Sequence, residues 1–168
     1  MNFEVREETD ADIHAIEALT ISAFMNAPHT SGTEHFIVNA LRKAGMLAVS
    51  LVGDDHGVVI GHVAVSPVSV SVGASDWYGI GPLSVAPERQ RHGVGSQLMR
   101  DTLRLLRENG AAGCVLLGDP EYYGRFGFQA NPKLVLPNVP AQYFQAISFH
   151  TSSPEGMVSY HASFDAED

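Results

Sequence analysis

A chain of 168 residues with an ordinary apolar fraction suits one domain, residues 1–168, with a sizeable core. Its formal charge of −9 argues against generic binding to nucleic acid or anionic membranes, which needs clustered Lys and Arg. A single cysteine, Cys114, excludes an internal disulfide and a thiolate metal cluster, and its place in the run CVLL marks it as a buried small hydrophobe.

MNFEVREETD lacks the apolar region of a secretion signal, and no run is long enough to span a bilayer, so a soluble cytoplasmic protein is expected. Phe3 and Val5 alternate with charged residues, as a short strand does. Thr9 and Asp12 fit a capping box that opens a helix with apolar positions Ile13, Ile16, Leu19, Ala23 and Phe24. After the loop NAPHTSG, Ser31 and Glu34 repeat the capping pattern. Phe36, Ile37, Ala40, Leu41 and Ala44 then recur at helical spacing, and Gly45 stands at C′.

LAVSLV and GVVIGHVAVSPV flank the turn GDDHG, which reads as a hairpin with His62 as a structural residue of its second strand. Val68, Val70 and Val72 alternate with serines, as on a half-exposed strand. Beyond the turn GAS, WYGIGPLSV is the next strand. Gly79, Gly81 and Pro82 interrupt it, which marks a bulge or the end of pairing. Residues from about 93 to 109 form the clearest helix. Val94, Leu98, Thr102 and Leu105 share one face, Arg100, Arg104 and Arg107 line another, and Gly110 stops it. CVLLG reads as a buried strand of the parallel type. Asp119 and Pro120 look like N-cap and N1 of a short helix, EYYGRFG, ending at Gly127. Val158, Tyr160, Ala162 and Phe164 alternate as a last strand. The order predicts a mixed α/β fold with one parallel crossover at its centre.

The stretch PERQRHGVGSQLMR places two glycines inside a basic segment at the start of that clearest helix. A helix N-terminus has unpaired N–H groups and partial positive charge, so an anion binds there without side chains. Gly93 and Gly95 leave no Cβ in its path. A dinucleotide fingerprint would need a third glycine where Leu98 stands, and a P-loop needs a lysine that does not follow Gly95. The loop by itself fits a phosphate cradle and a plain strand-to-helix connector equally.

GPLSVAPERQRHGVGSQL resembles the acyl-CoA-binding motif of the GNAT superfamily of N-acetyltransferases, [QR]-x-x-G-x-[GA], on Gln90, Gly93 and Gly95. PEYYGRFGF resembles that superfamily's second cofactor segment. LLGDPEYYGRFGFQ together with GPLSVAP is most similar to its YhbS-like branch. The resemblance implies a mostly antiparallel mixed sheet with one central, splayed parallel strand pair and helices on both faces. It implies acetyl-CoA as co-substrate, no metal, and direct acetyl transfer to a primary amine of a small molecule or peptide.

Residue by residue, the resemblance places the pantetheine arm along Leu83, Ser84 and Val85, with the Val85 N–H polarising the thioester carbonyl. The pyrophosphate falls on the amides from Arg91 through His92, Gly93, Val94 and Gly95 to Ser96, with Gln90 of the motif as a further cofactor-binding residue. Of the basic side chains, only Arg89 and Arg91 are near enough to this segment to favour as cofactor contacts. Tyr123 falls in the position of the acid for the leaving thiolate. Glu34, His35, Asp76 and Asp119 are candidate bases, none preferred, and His29 and His35 lie where the family roofs its acceptor pocket. A catalytically silent acyl-CoA-binding or sensor domain is the alternative, with a mononucleotide module behind it. The strand-rich tail after Gly127 is a candidate surface for a homodimer.

Overall fold

A computed structural model describes residues 2–28, 30–150 and 153–168, so His29 lies outside the described residues. In chain order the elements are β1 (Glu4–Glu7), α1 (Ile13–Phe24), α2 (Glu34–Lys43), β2 (Val49–Asp55), β3 (Val58–Pro67), β4 (Ser69–Val70), β5 (Trp77–Val85), α3 (Val94–Glu108), β6 (Gly113–Leu117), α4 (Pro120–Tyr123), β7 (Gln129–Ala130), β8 (Leu134–Val135), β9 (Phe144–Ser148) and β10 (Gly156–Ser159). They fold as two units. One contains the chain up to Val65, Gly81–Thr102 and Ala162–Asp168; the other contains Ser66–Ile80 and Leu103–His161.

In the first unit β1, β2 and β3 form an antiparallel ladder, and the expected hairpin turns at His56 and Gly57, both at positive φ (50° and 92°). Strand alternation divides its two faces. Val52 and its partner His62 lie on one face with Ala64, and there Val52 and Ala64 pack with Ile16 of α1 and Val38 of α2. Gly53 and its partner Gly61 lie on the other, against Val94 and Leu98 of α3. Helices therefore cover both faces of this ladder.

The caps follow the local rules with one shift. The Thr9 N–H donates to the Asp12 carboxylate at 2.8 Å, and Arg6 grips the same carboxylate at 2.8 and 3.0 Å. Ser31 and Glu34 do pair, but the helix begins at Glu34 behind Thr33, because Gly32 turns the chain at φ 75° between them. Gly45 ends α2 as expected: its N–H donates to Arg42 and that of Met46 to Leu41.

In the second unit β5 runs parallel to β6 over Trp77–Gly79, and β6 is antiparallel to β9, whose far edge carries β7. A smaller sheet joins β4 antiparallel and β8 parallel to β10. Trp77, Val115 and Phe144 share a core with Val70, Leu134 and Val158. The tail strands thus pair within the chain. The expected strand around Val68–Val72 shrinks to Ser69–Val70, since Gly73 turns back onto the Val70 carbonyl. The last strand ends at Ser159, and Ala162–Asp165 instead form a 3-10 turn against α2 in the first unit. Among the described residues, no helix is long and apolar enough to cross a membrane, and no three His, Cys, Asp or Glu cluster as a metal site.

Candidate active site

The glycine-rich loop belongs to the first unit. After Val85 a 3-10 turn (Pro87–Arg89) leads through Arg91 (φ 66°) and Gly93 (φ 85°) into α3. The Gln97 N–H donates to the Gly93 carbonyl at 3.0 Å, the first bond of the helix. The first-turn amides of Val94 and Gly95 therefore have no acceptor further back in α3. A Cβ on Gly93 would meet nothing within 4 Å, so the approach is open there and the glycine is required by its backbone angle. Arg91 and His92 are exposed.

What seats this helix end is a gap in side chains beneath it. A Cβ on Gly61 would stand 2.7 Å from Val94 Cγ1 and 2.9 Å from Leu98 Cδ1; one on Gly53 would stand 3.4 Å from Val94 Cγ1. Gly53 falls in the expected turn GDDHG, but β2 runs on to Asp55, and this places one glycine in each strand of the hairpin, at positions that pair.

The loop is also braced. The Ala86 N–H donates to the Ile60 carbonyl at 2.9 Å, and the Gln90 side-chain amide donates to the Val85 carbonyl at 3.3 Å. Arg89 meets Asp55 at 2.7 Å, and hydrogen bonds from His56 and Arg89 hold the Asp55 carboxyl below its usual range. Ser84 is buried and its hydroxyl has no hydrogen-bond partner, while Leu83 and Val85 are half-buried. The parallel pairing of β5 with β6 ends at Gly79↔Val115, the first of the expected interruptions, although β6 continues to Leu117.

Tyr123 belongs to the second unit. Asp119 caps α4 by accepting from the Glu121 N–H at 2.9 Å, with Pro120 at N1 as expected. Gly127 ends the following turn at φ 100°. The Tyr123 ring meets Tyr122 edge-on at 4.9 Å and Phe128 at 6.2 Å. Burial, with smaller contributions from Tyr122 and Asp119, pushes its phenol up to about 12, so it carries its proton throughout the neutral range.

The candidate bases stay apart in character. Burial raises Glu34, but hydrogen bonds from Ser31 and Thr30 outweigh it and hold the carboxyl below its usual range, which makes it a weak base. Asp119 is engaged as a cap. His35 packs against Phe36 with ring centres 3.9 Å apart and planes tilted by 42°, and it lines a pocket of about 140 Å³ with Ile21, Phe24, Met25 and Glu34. His62 is structural: buried on β3, it meets the Ser50 hydroxyl at 2.8 Å, and Ser50 in turn donates to Glu8, which Arg42 holds bidentately at 2.9 Å. Cys114 is fully buried, which pushes its thiol up to about 12. Arg104 reaches Glu108 at 3.6 Å on the solvated face of α3.

Fold and site together define an acetyltransferase of the GNAT type: residues 4–130 match the acetyltransferase (GNAT) domain, and the chain belongs to that family. The Escherichia coli K12 protein described as uncharacterized N-acetyltransferase YhbS is 42% identical over 115 residues, which is 68% of this chain and 69% of that one. A GNAT family acetyltransferase from Brucella melitensis, solved in complex with acetyl-CoA, has a TM-score of 0.88 and 43% identity over 98% of this chain and 99% of that one. E. coli YhbS, solved in complex with CoA, has a TM-score of 0.89 and 35% identity over 98% of this chain and 93% of that one.

Proposed function

We propose that this chain is an acetyl-CoA-dependent N-acetyltransferase that moves an acetyl group directly to a primary amine of a small molecule or peptide. The observation that supports it most is the open N-terminal end of α3, where Gly93 leaves the approach clear beside the first-turn amides. These amides, from Arg91 to Ser96, hold the diphosphate by hydrogen bonds and the helix dipole. Gln90 braces the loop to Val85. The backbone of Leu83, Ser84 and Val85 pairs with the pantetheine amides as an added strand would, and the Val85 N–H polarises the thioester carbonyl.

Acetyl-CoA supplies an activated acyl group; the chain supplies placement and proton management. The acceptor amine must lose a proton before it attacks, since an alkylammonium has a pKa near 10.4. Tyr123 donates to the departing sulfur. A phenol near 12 is a weaker acid than an ordinary thiol at about 8.5, so this donation works only where the sulfur too is kept from water and its own proton affinity rises.

The test is release of free thiol from acetyl-CoA across a panel of primary amines, with CoA binding measured in parallel. Turnover with at least one amine is expected. CoA binding without turnover on any amine overturns the transferase reading in favour of a silent acyl-CoA-binding domain. Tighter binding of ATP or NAD than of CoA removes the cradle assignment itself.

A further inference from the structure

Gln145, the second residue of β9, is a polar side chain only 1% exposed. A buried amide needs a partner, and this one donates from Nε2 to the Gly118 carbonyl at 3.0 Å. The Gly118 N–H donates in turn to the Tyr143 carbonyl at 3.0 Å. Both polar groups of Gly118 are therefore held, one by a side chain of β9 and one by the backbone just before it.

Gly118 is also where the Tyr123 ring rests. A Cβ on Gly118 would fall 2.7 Å from Tyr123 Cδ2 and nearer still to Cε2. The ring lies against the bare Cα, while the Tyr123 N–H is tied to the Asp119 carbonyl at 3.0 Å. Shifting the Gly118 peptide shifts the surface that sets the ring.

We propose that Gln145 is a positioning residue for acetyl transfer: by clamping the Gly118 carbonyl it fixes the platform under Tyr123, and so the place of the phenolic hydroxyl. This rests on Tyr123 as the acid. Glutamine suits the task because it donates while neutral; a carboxylate here would face the carbonyl oxygen, and an apolar side chain would leave that oxygen without its partner.

The test uses Gln145→Met, which keeps the volume and removes the donor. The protein carries tyrosine labelled with ¹³C at Cζ, and the Tyr123 resonance is assigned by its loss in Tyr123→Phe. The Tyr123 resonance is expected to shift and broaden in Gln145→Met while those of Tyr78 and Tyr160 stay. In thiol release from acetyl-CoA, kcat is expected to fall about tenfold with KM for acetyl-CoA within about twofold, and to fall by less than about twofold more in a Tyr123→Phe background. An unmoved Tyr123 resonance, or losses that multiply in the double variant, overturns the proposal. Should Gln145→Met fail to fold, Gln145→Glu decides. Its protonated carboxyl can still donate, so the Tyr123 resonance is native at low pH and displaced once the glutamate ionises; a resonance indifferent to pH overturns the proposal. Full turnover in Tyr123→Phe removes the acid role instead, and the resonance still reports whether Gln145 sets the ring.

Discussion

A Cβ on Gly61 would stand 2.7 Å from Cγ1 of Val94, so the first turn of α3 lies on a strand that has given up its side chain at that point. Gly53, its partner across the hairpin, widens the same bare strip. The N-terminal end of α3 is thus set by what lies under it as much as by its own loop.

Gly61→Ala is expected to force α3 outward. Overpacking of this kind costs about 1–3 kcal/mol, which lowers Tm by several degrees in a domain of this size. The amides of the cradle move with the helix, and Kd for CoA is expected to rise about tenfold, a change of ~1.4 kcal/mol. Calorimetric titration and thermal unfolding measure both. If neither quantity changes, the glycine strip does not seat the helix.

Gly93→Asp and Gly93→Asn separate charge from backbone. Both residues tolerate a positive φ better than most, and the Gly93 side-chain direction is open. Asn is therefore expected to weaken CoA binding modestly, whereas Asp places a carboxylate against the diphosphate and abolishes it. Equal affinities in the two variants would mean that no anion sits there.

Tyr123→Phe is expected to lower kcat about a hundredfold while Kd for CoA changes by less than about threefold, in keeping with the usual contribution of a positioned acid. The phenol stays protonated to about 12, so the pH–rate profile of the parent should show no alkaline fall below pH 11 from loss of this proton. Steady-state kinetics from pH 6 to 10.5 check both points. Loss of turnover matched by an equal loss of affinity would make Tyr123 a packing residue.

Much of this was legible because it is local. Capping at Thr9, Asp119 and Gly45, the His56–Gly57 turn and the glycine-rich entry into α3 depend on residues a few positions apart. β9 was not legible: its partners β6 and β7 are distant in the chain, and Gln145 breaks its apolar run. Alternation from Val158 to Phe164 signalled a strand, but the ladder has partners only as far as Ser159. Period shows which side chains share a face; it cannot show where pairing runs out. Gly118 under Tyr123 and Gly61 under Val94 are contacts through space, invisible until register is known.

Acid stability has a defined contributor in Asp12. The hydrogen bonds from Arg6, with those from Thr9, outweigh burial and hold its carboxyl at about 2. A carboxyl whose folded value lies below its unfolded value stabilises the fold above the unfolded value, near 3.9, and loses that contribution as pH falls toward 2. Asp12→Asn is expected to be less stable than the parent at pH 7, with the difference shrinking between about pH 4 and pH 2. Denaturant midpoints at pH 7, 4 and 2.5 measure this. A constant difference across that range would show that Asp12 contributes through packing alone.

The lone sulfhydryl has a practical corollary. Cys114 is fully buried in β6 with its thiol pushed up to about 12, so the native molecule offers almost no thiolate to a disulfide reagent. Chromogenic disulfides can therefore count coenzyme A liberated during turnover without background from intact protein. The same reagent turns into a clock for global opening: any labelling of the polypeptide itself records a molecule that has come apart.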